Sequence, residues 1–398
     1  MPFLSKAVFE ARLADMRRLM EAENLDGLIF TQVDFAFYAS NFYVDVEPWE
    51  RPTAVVVPRQ GQPFMVVNEL STNHIRMARE RGTLWVDDVT IYAEHSRPTS
   101  NGWTTPQWPK LMAELLDAHG LARGTNGTDG ITEALAGVPK ILDGLTLTSM
   151  HRRLRDLRLV KHAEEIALLR VCAAFTDIGM EELKRSVRPG RVVQECDRSV
   201  EARMHDLAAE RFPGENMEIR VGTLSGLAAA SPHGTGAPTG SRFGQGDVLV
   251  SNVIFRYNGL VVENERTLFC GRPTDERHFR AHDAALAANL AAQAQYVAGN
   301  PVAAIDRAAM SAIEAAGFQD CVFHRTGHGM GIKGHEFPDD MAFLERPLLE
   351  NEVYSCEPGI YIWGLGGYRI DDTMVVGKTA PESLLKTPRD MEWAIVPT

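Results

Sequence analysis

Three β-rich runs near the C-terminal end carry charged residues in their interiors, and this constrains the fold more than any other feature of the chain. GLVVENERTLF (259–269) sets Glu263, Asn264 and Glu265 between apolar stretches, and VYSCEPGIY (353–361) sets Glu357 directly before Pro358. GYRIDDTMVV (367–376) contains Arg369, Asp371 and Asp372. Carboxylates are rarely fully buried unless they are paired, protonated or bound to a cation. In one strand, alternation that turns each acid to solvent explains the pattern. Three such strands predict that their carboxylates converge on one site. HRTGHGMGIKGHEFP (324–338) adds His324, His328 and His335 among glycines that let the backbone approach a ligand and leave imidazoles accessible. SPHGTG (231–236) is a polar turn holding His233.

The hydrophobic period changes along the chain. Val8, Leu13, Met16, Leu19 and Met20 fall at helical spacing within 5–23. LDGLIFT (25–31) reads as a buried strand, and TAVVVP (53–58) and PFMVV (63–67) as a strand pair across a PRQGQ turn. A helix over 107–119 and a strand at 145–150 extend the alternation, which suggests a small α/β domain. Residues 93–108 are rich in turn formers and read as a long surface loop. A charged helical stretch (151–175) separates this part from the rest. Helical patterns follow at 163–185 and 191–210, then strand-like runs at 217–223, 247–255 and 259–269. Helices at 274–297 and 301–316 precede strand-rich segments at 353–363 and 367–376. Strands and helices segregate into runs here, so the second part reads as α+β. The predicted domains are 1–155 and 156–398.

At 398 residues and 44% hydrophobic content the chain has apolar material for two cores. Its formal net charge of −12 argues against nucleic acid or an anionic membrane as the main partner. The opening MPFLSKAVFEARLADMRRLM carries charges throughout, unlike a signal peptide, and no window has the apolar length of a membrane span. Five scattered cysteines without a CxxC pair fit reduced thiols, so a cytoplasmic location is expected.

TGHGMGIKGHEFP, EPGIY and GYRIDDT resemble the last three signature segments of prolidase and aminopeptidase P, in the same order and with similar gaps. SNVIFRYNGLVVENERTLFCG is closer to creatinase, above all in ERTLFC, and LRLVKHAEEI (157–166) resembles the segment that opens the catalytic domain in this family. The resemblance implies a pita-bread α+β catalytic domain preceded by a smaller α/β domain of the creatinase N-terminal type. That fold hosts peptidases, creatine and ectoine hydrolysis, a sulfur-compound lyase and non-catalytic binding proteins.

Metalated members of the family use five ligands in the order Asp, Asp, His, Glu, Glu. The resemblance places these positions on Asn252, Glu263, His328, Glu357 and Asp371. Asn252 replaces a bridging carboxylate with a neutral amide, so a conventional two-metal site is not expected. The other four could hold one Mn²⁺, Zn²⁺ or Fe²⁺. Creatinase, by contrast, works without metal and has the same asparagine. Its proton-shuttling histidine matches His233, and the two glutamates that grip its guanidinium substrate match Glu265 and Glu357. Glu263 and Asp371 are not carboxylates there, so this pocket is more acidic, which suits either a metal or a strongly cationic substrate.

Three readings result. The preferred one is hydrolysis of a C–N bond in a small cationic amide or amidine, with His233 shuttling protons and acidic residues holding the substrate or one metal. The alternative is an Xaa-Pro dipeptidase or aminopeptidase with a non-standard divalent metal site, and the third is a binding protein without catalysis. Candidate catalytic residues are His233, His328, His335 and Glu357; Glu265 and Arg369 are candidate substrate contacts. NFYVDVEPWERPTA (41–54) adds Trp49 and Arg51 as contacts from a partner chain in an expected homodimer, or is an ordinary surface loop.

Overall fold

The computed structural model describes residues 3–43, 46–47, 49–93, 107–233, 237–337 and 341–398. They divide into two compact units, Phe3–Arg158 and Leu159–Thr398. In the first, the helical spacing near the N-terminus produces α1 (Lys6–Ala22), which buries Val8, Phe9, Met16, Leu19 and Met20. The chain continues through β1 (Gly27–Phe30), α2 (Val33–Ser40), β2 (Ala54–Pro58), β3 (Phe64–Asn68), α3 (Thr72–Glu80) and β4 (Asp88–Tyr92). It then forms α4 (Trp108–Ala118), β5 (Gly124–Thr128), α5 (Glu133–Ala136), β6 (Leu145–Ser149) and α6 (His151–Asp156). The strands make one mixed sheet in the order β4-β3-β2-β1-β5-β6. Its central strands β1, β2 and β3 are buried along their whole length, which is why they read as unbroken apolar runs.

Five elements of this sheet unit, α2, α3, β4, β5 and α5, escaped sequence reading, and two of them show why. The helix α2 (VDFAFYAS) is apolar around most of its circumference and shows no amphipathic period. Strand β5 (GTNGT) holds the poor strand formers Gly124, Asn126 and Gly127, and its parallel pairing with β1 and β6 imposes the conformation. Most of the predicted 93–108 loop lies outside the described residues.

The charged stretch 151–175, read as one helical segment, is interrupted. The first helix stops at Asp156, and α7 (Ala163–Ser186) begins afresh after His162, whose capping box with Glu165 satisfies the new N-terminus. Between them Val160 bridges Glu352, and Lys161 N donates to Asn351 O. The intervening Leu, Arg and Lys are good helix formers, so local propensity conceals the break.

The second unit continues with α8 (Val193–Arg211), β7 (Met217–Ser225), β8 (Val248–Tyr257), β9 (Leu260–Cys270), α9 (Glu276–Gln293) and α10 (Ala303–Ala315). After these come β10 (Val353–Cys356), β11 (Gly359–Ile362), β12 (Gly366–Arg369), β13 (Asp372–Val375), β14 (Glu382–Ser383), α11 (Met391–Ala394) and β15 (Ile395–Val396). Strands β15-β9-β8-β7 form one sheet, β10-β13-β14 another, and β11-β12 a separate hairpin. A two-residue turn, Asn258-Gly259 with both φ angles positive, fixes the β8–β9 register. That register sets Asn252 opposite Glu265 and Ile254 opposite Glu263.

The segments 353–363 and 367–376, each read as a continuous strand-rich run, are both divided. Pro358, which cannot donate to a ladder, follows Glu357 where β10 gives way to β11. The second division falls at Ile370 and Asp371, between β12 and β13. Both divisions coincide with candidate site carboxylates.

Candidate active site

Alternation on β9 sorts its polar residues onto two faces. Asn264 and Arg266 take one. Asn264 Nδ2 donates to Thr387 Oγ1 at 2.8 Å, and Arg266 donates to Asp372 Oδ1 at 3.0 Å and to the carbonyls of Glu265 and Asp371 at 2.8 and 2.6 Å. Arg389 closes on both oxygens of Asp372 at 2.7 and 2.8 Å. Burial works against the charge of Asp372, but the two guanidinium groups outweigh it and hold its pKa below the ordinary value. Asp372 is thus a structural ion pair behind the site.

Glu263 and Glu265 take the other face, where they meet Glu357, Asp371, His328 and Arg369. His328 is buried, and its Nδ1 donates to Gly329 O at 3.0 Å. That leaves Nε2 toward Glu263 Oε1 at 3.3 Å and Glu357 Oε1 at 3.4 Å. Arg369 is ion-paired with Glu265, its Nη2 donating to Oε1 at 2.8 Å, and its Nη1 lies 3.9 Å from Glu357 Oε2. Asn252 Nδ2 also donates to Glu265 Oε1, at 2.5 Å. Asp371 Oδ1 accepts from Ser355 Oγ at 2.8 Å and Cys356 N at 3.2 Å. Its Oδ2 is buried and meets no donor among the described residues. Oxygens of Glu265, Glu357 and Asp371 lie within 4.8 Å of one another, close enough to share a cation, although the Glu265 carboxylate is also paired with Arg369.

Four carboxylates therefore face one guanidinium and one imidazole. Burial pushes Glu265 and Asp371 up from the ordinary carboxylate range, and the neighbouring acids push them further. Burial opposes the charged forms of His328 and Glu357 too. Hydrogen bonds and charge from Glu263 and Glu357 outweigh it at the imidazole and raise it, and His328 with Arg369 outweighs it at Glu357 and lowers it.

The description "Metallopeptidase family M24" fits residues 167–378, more than half of the chain, and "Creatinase/Prolidase N-terminal domain" fits 12–171. The chain belongs to metallopeptidase family M24. It is 28% identical to the "Putative dipeptidase YkvY" of Bacillus subtilis over 94% of this chain and 96% of that one. To the "Xaa-Pro dipeptidase" of Pyrococcus furiosus it is 30% identical, covering 60% of this chain and 66% of the relative. The crystal structure of dipeptidase PepE from Mycobacterium ulcerans superposes over the full length of both chains, with a TM-score of 0.81 and 27% identity. This M24 chain thus has the pita-bread fold with a creatinase-type N-terminal domain, and it is a hydrolase acting on C–N bonds. The expectation of a binding protein without catalysis falls with that assignment.

The remaining predicted residues of this M24 chain are placed as follows. His335 stacks on His328 with ring centres 3.8 Å apart, and Arg325 Nη2 donates to its Nδ1 at 3.2 Å. His233 is exposed, and Arg369 Nη1 donates to the carbonyl of the preceding Pro232 at 2.8 Å. Trp49 is 73% exposed, and Arg51 pairs with Glu50 at 2.6 Å; both belong to the first unit. Sequence reading missed Tyr361. Its hydroxyl accepts from Arg369 Nη1 at 3.2 Å and meets His324 Nε2 at 2.8 Å. A tyrosine in a strand carries no local mark of such a role. Arg325 was likewise missed, although an arginine between two closely spaced histidines, His324 and His328, was a usable signal.

Proposed function

We propose that the chain is a dipeptidase working with one divalent cation. The observation that carries this reading is Asp371 Oδ2, a buried carboxylate oxygen without a donor, beside Glu357, Glu263 and His328 Nε2. This donor set fits a hard or borderline cation, and its oxygen-rich character favours Mn²⁺ over Zn²⁺ or Fe²⁺. Glu263, His328, Glu357 and Asp371 would hold it. When bound, the cation supplies Lewis-acid polarisation of the scissile carbonyl. Glu265 is engaged by Arg369 and Asn252, and the neutral amide of Asn252 removes a bridging ligand, so the reading is one cation rather than two.

The surrounding residues have matching tasks. With Arg325 donating to Nδ1, neutral His335 carries its proton on Nε2 and can donate to a developing oxyanion. His233 takes a proton from the attacking water and passes it to the leaving amine, and Arg369 holds the carbonyl of the preceding Pro232. The names of the relatives support dipeptides, Xaa-Pro among them, over the preferred expectation of a small cationic amide. The Arg369–Glu265 pair supports the same choice, because that carboxylate already has a cation from its own chain. A homodimer, with Trp49 and Arg51 as substrate contacts from the partner chain, completes the reading. A cytoplasmic location is favoured by the five free cysteines.

A second reading, metal-free hydrolysis of a cationic amidine or amide, is favoured by Asn252 and the surplus of carboxylates. Stripping the protein with a chelator and restoring Mn²⁺ separates the two. The expected result is one equivalent of Mn²⁺ per chain and Mn²⁺-dependent cleavage of dipeptides. His233→Ala should lower that turnover by roughly 10²–10⁴. Inert dipeptides, together with amidine hydrolysis in the presence of chelator, would overturn the first reading in favour of the second.

A further inference from the structure

Asn289 lies on α9 and is fully buried. Its side-chain amide donates both hydrogens, one to Cys356 O and one to Ile370 O, each at 3.0 Å. These two carbonyls immediately precede Glu357 and Asp371. They sit where β10 gives way to β11 and where β12 gives way to β13, where the chain leaves the β10-β13-β14 sheet and returns to it.

The same two peptide groups are held from their other ends. Glu357 N donates to Thr326 O at 2.7 Å, and Asp371 N donates to Glu265 O at 3.0 Å. Each peptide plane leading into a site carboxylate is therefore pinned on both its C=O and its N–H. One side-chain amide supplies the C=O half of both. The amide is itself oriented, because Asn289 Oδ1 accepts from Gln293 Nε2 at 2.6 Å, and Gln293 Nε2 also donates to Asp372 Oδ2 at 3.0 Å. Asp372 in turn is fixed by Arg266 and Arg389. A chain of buried and half-buried polar groups thus runs from the structural ion pair to the backbone that carries Glu357 and Asp371.

We infer that Asn289 is a positioning residue that sets the separation of Glu357 and Asp371 by cross-linking the peptide groups before them. A buried polar group is retained when its donors are all used. Here both donors are used at the two sheet changes that the site requires, rather than within helix packing. Groups that orient first ligands typically change metal affinity 10–100-fold when removed.

Asn289→Leu keeps the branched shape and removes both donors, whereas Gln293→Leu removes only the outer bonds. The affinity arm, which rests on the single-cation reading above, is Mn²⁺ titration calorimetry on the full chain. Asn289→Leu should bind Mn²⁺ roughly 10–100-fold more weakly. Gln293→Leu should lower the melting temperature while keeping affinity within about threefold, well short of that loss. Wild-type affinity in folded Asn289→Leu, or equal losses in both variants, would overturn the inference. If Asn289→Leu does not fold, Asn289→Ser, which keeps one donor, is read against the same two outcomes. Should wild-type protein bind no Mn²⁺, the single-cation reading fails on its own. Crystal structures of wild type and variant then decide the inference: displaced Glu357 and Asp371 carboxylates support it, and superimposable ones overturn it.

Discussion

Asp129 in the first unit and Asp371 in the second are both almost fully buried and both adjoin the end of a strand. At Asp129, Oδ1 accepts from Thr31 N and Thr31 Oγ1 at 3.0 and 3.1 Å, and Oδ2 accepts from Gln32 N at 2.8 Å. These donors tie β5 to the start of α2, so the carboxylate replaces backbone hydrogen bonds that the turn cannot make for itself. At Asp371 one oxygen is satisfied by Ser355 and Cys356, and the other faces acids. Burial is the same; satisfaction is not. Donors within the fold can satisfy a buried carboxyl group, and an unsatisfied one is retained where something outside the chain completes it.

The largest expected effect comes from breaking the unsatisfied side of this contrast at Glu357. Glu357→Gln keeps the shape and removes a charge that faces His328 and Arg369. Turnover should fall to background and bound Mn²⁺ should be lost, as read by metal analysis after dialysis. A folded variant with full Mn²⁺ content would show that the cation sits elsewhere in the cluster.

On the satisfied side the effect is on stability alone. Asp129→Asn leaves one acceptor atom and turns an NH₂ toward backbone donors, at a cost of about 2–3 kcal/mol by denaturant unfolding at pH 5. Specific activity of the folded fraction should not change. Burial pushes Asp129 up from 3.8 to about 7, with its hydrogen bonds restraining the rise. A raised folded pKa means that the folded state keeps a proton the unfolded chain releases. The contribution is complete below about pH 4 and is lost as pH rises through 7. The stability gap between wild type and Asp129→Asn should therefore narrow from pH 4 to pH 7; a gap that widens would refute the assignment.

The same contrast explains what the sequence made legible. Glu263, Glu265, Glu357 and Asp371 stood out because acids interrupt apolar runs, and strand alternation then separated them from Asn264 and Arg266. Asp372 carried the same signal as Asp371, and only the third dimension shows Arg266 and Arg389 neutralising it. Asn289 and Tyr361 were invisible because an amide in a helix and a phenol in a strand are ordinary occupants. Their partners lie 67 and 81 residues away for Asn289 and 37 and 8 for Tyr361, with no local pattern to mark them. The helix break at 157–162 and strand β5 were hidden for a related reason, since tertiary pairing overrode local propensity there.

The smallest expected effect is the one that tests the contrast most directly. Asp371→Asn keeps the Oδ1 acceptor for Ser355 Oγ and Cys356 N and places an NH₂ where Oδ2 now faces Glu263, Glu357 and Glu265. In chelator the change removes one of four crowded acids and gives the others a donor. The variant should therefore be more stable than wild type by about 0.5–2 kcal/mol, the range of a typical functional-site trade-off. With Mn²⁺ the order should reverse, because a cation that binds only the folded wild type adds RT ln(1 + [L]/Kd) to its stability. Thermal melts with chelator and with Mn²⁺ give both comparisons. A variant less stable than wild type even in chelator would mean that Asp371, like Asp129, is held by its own fold.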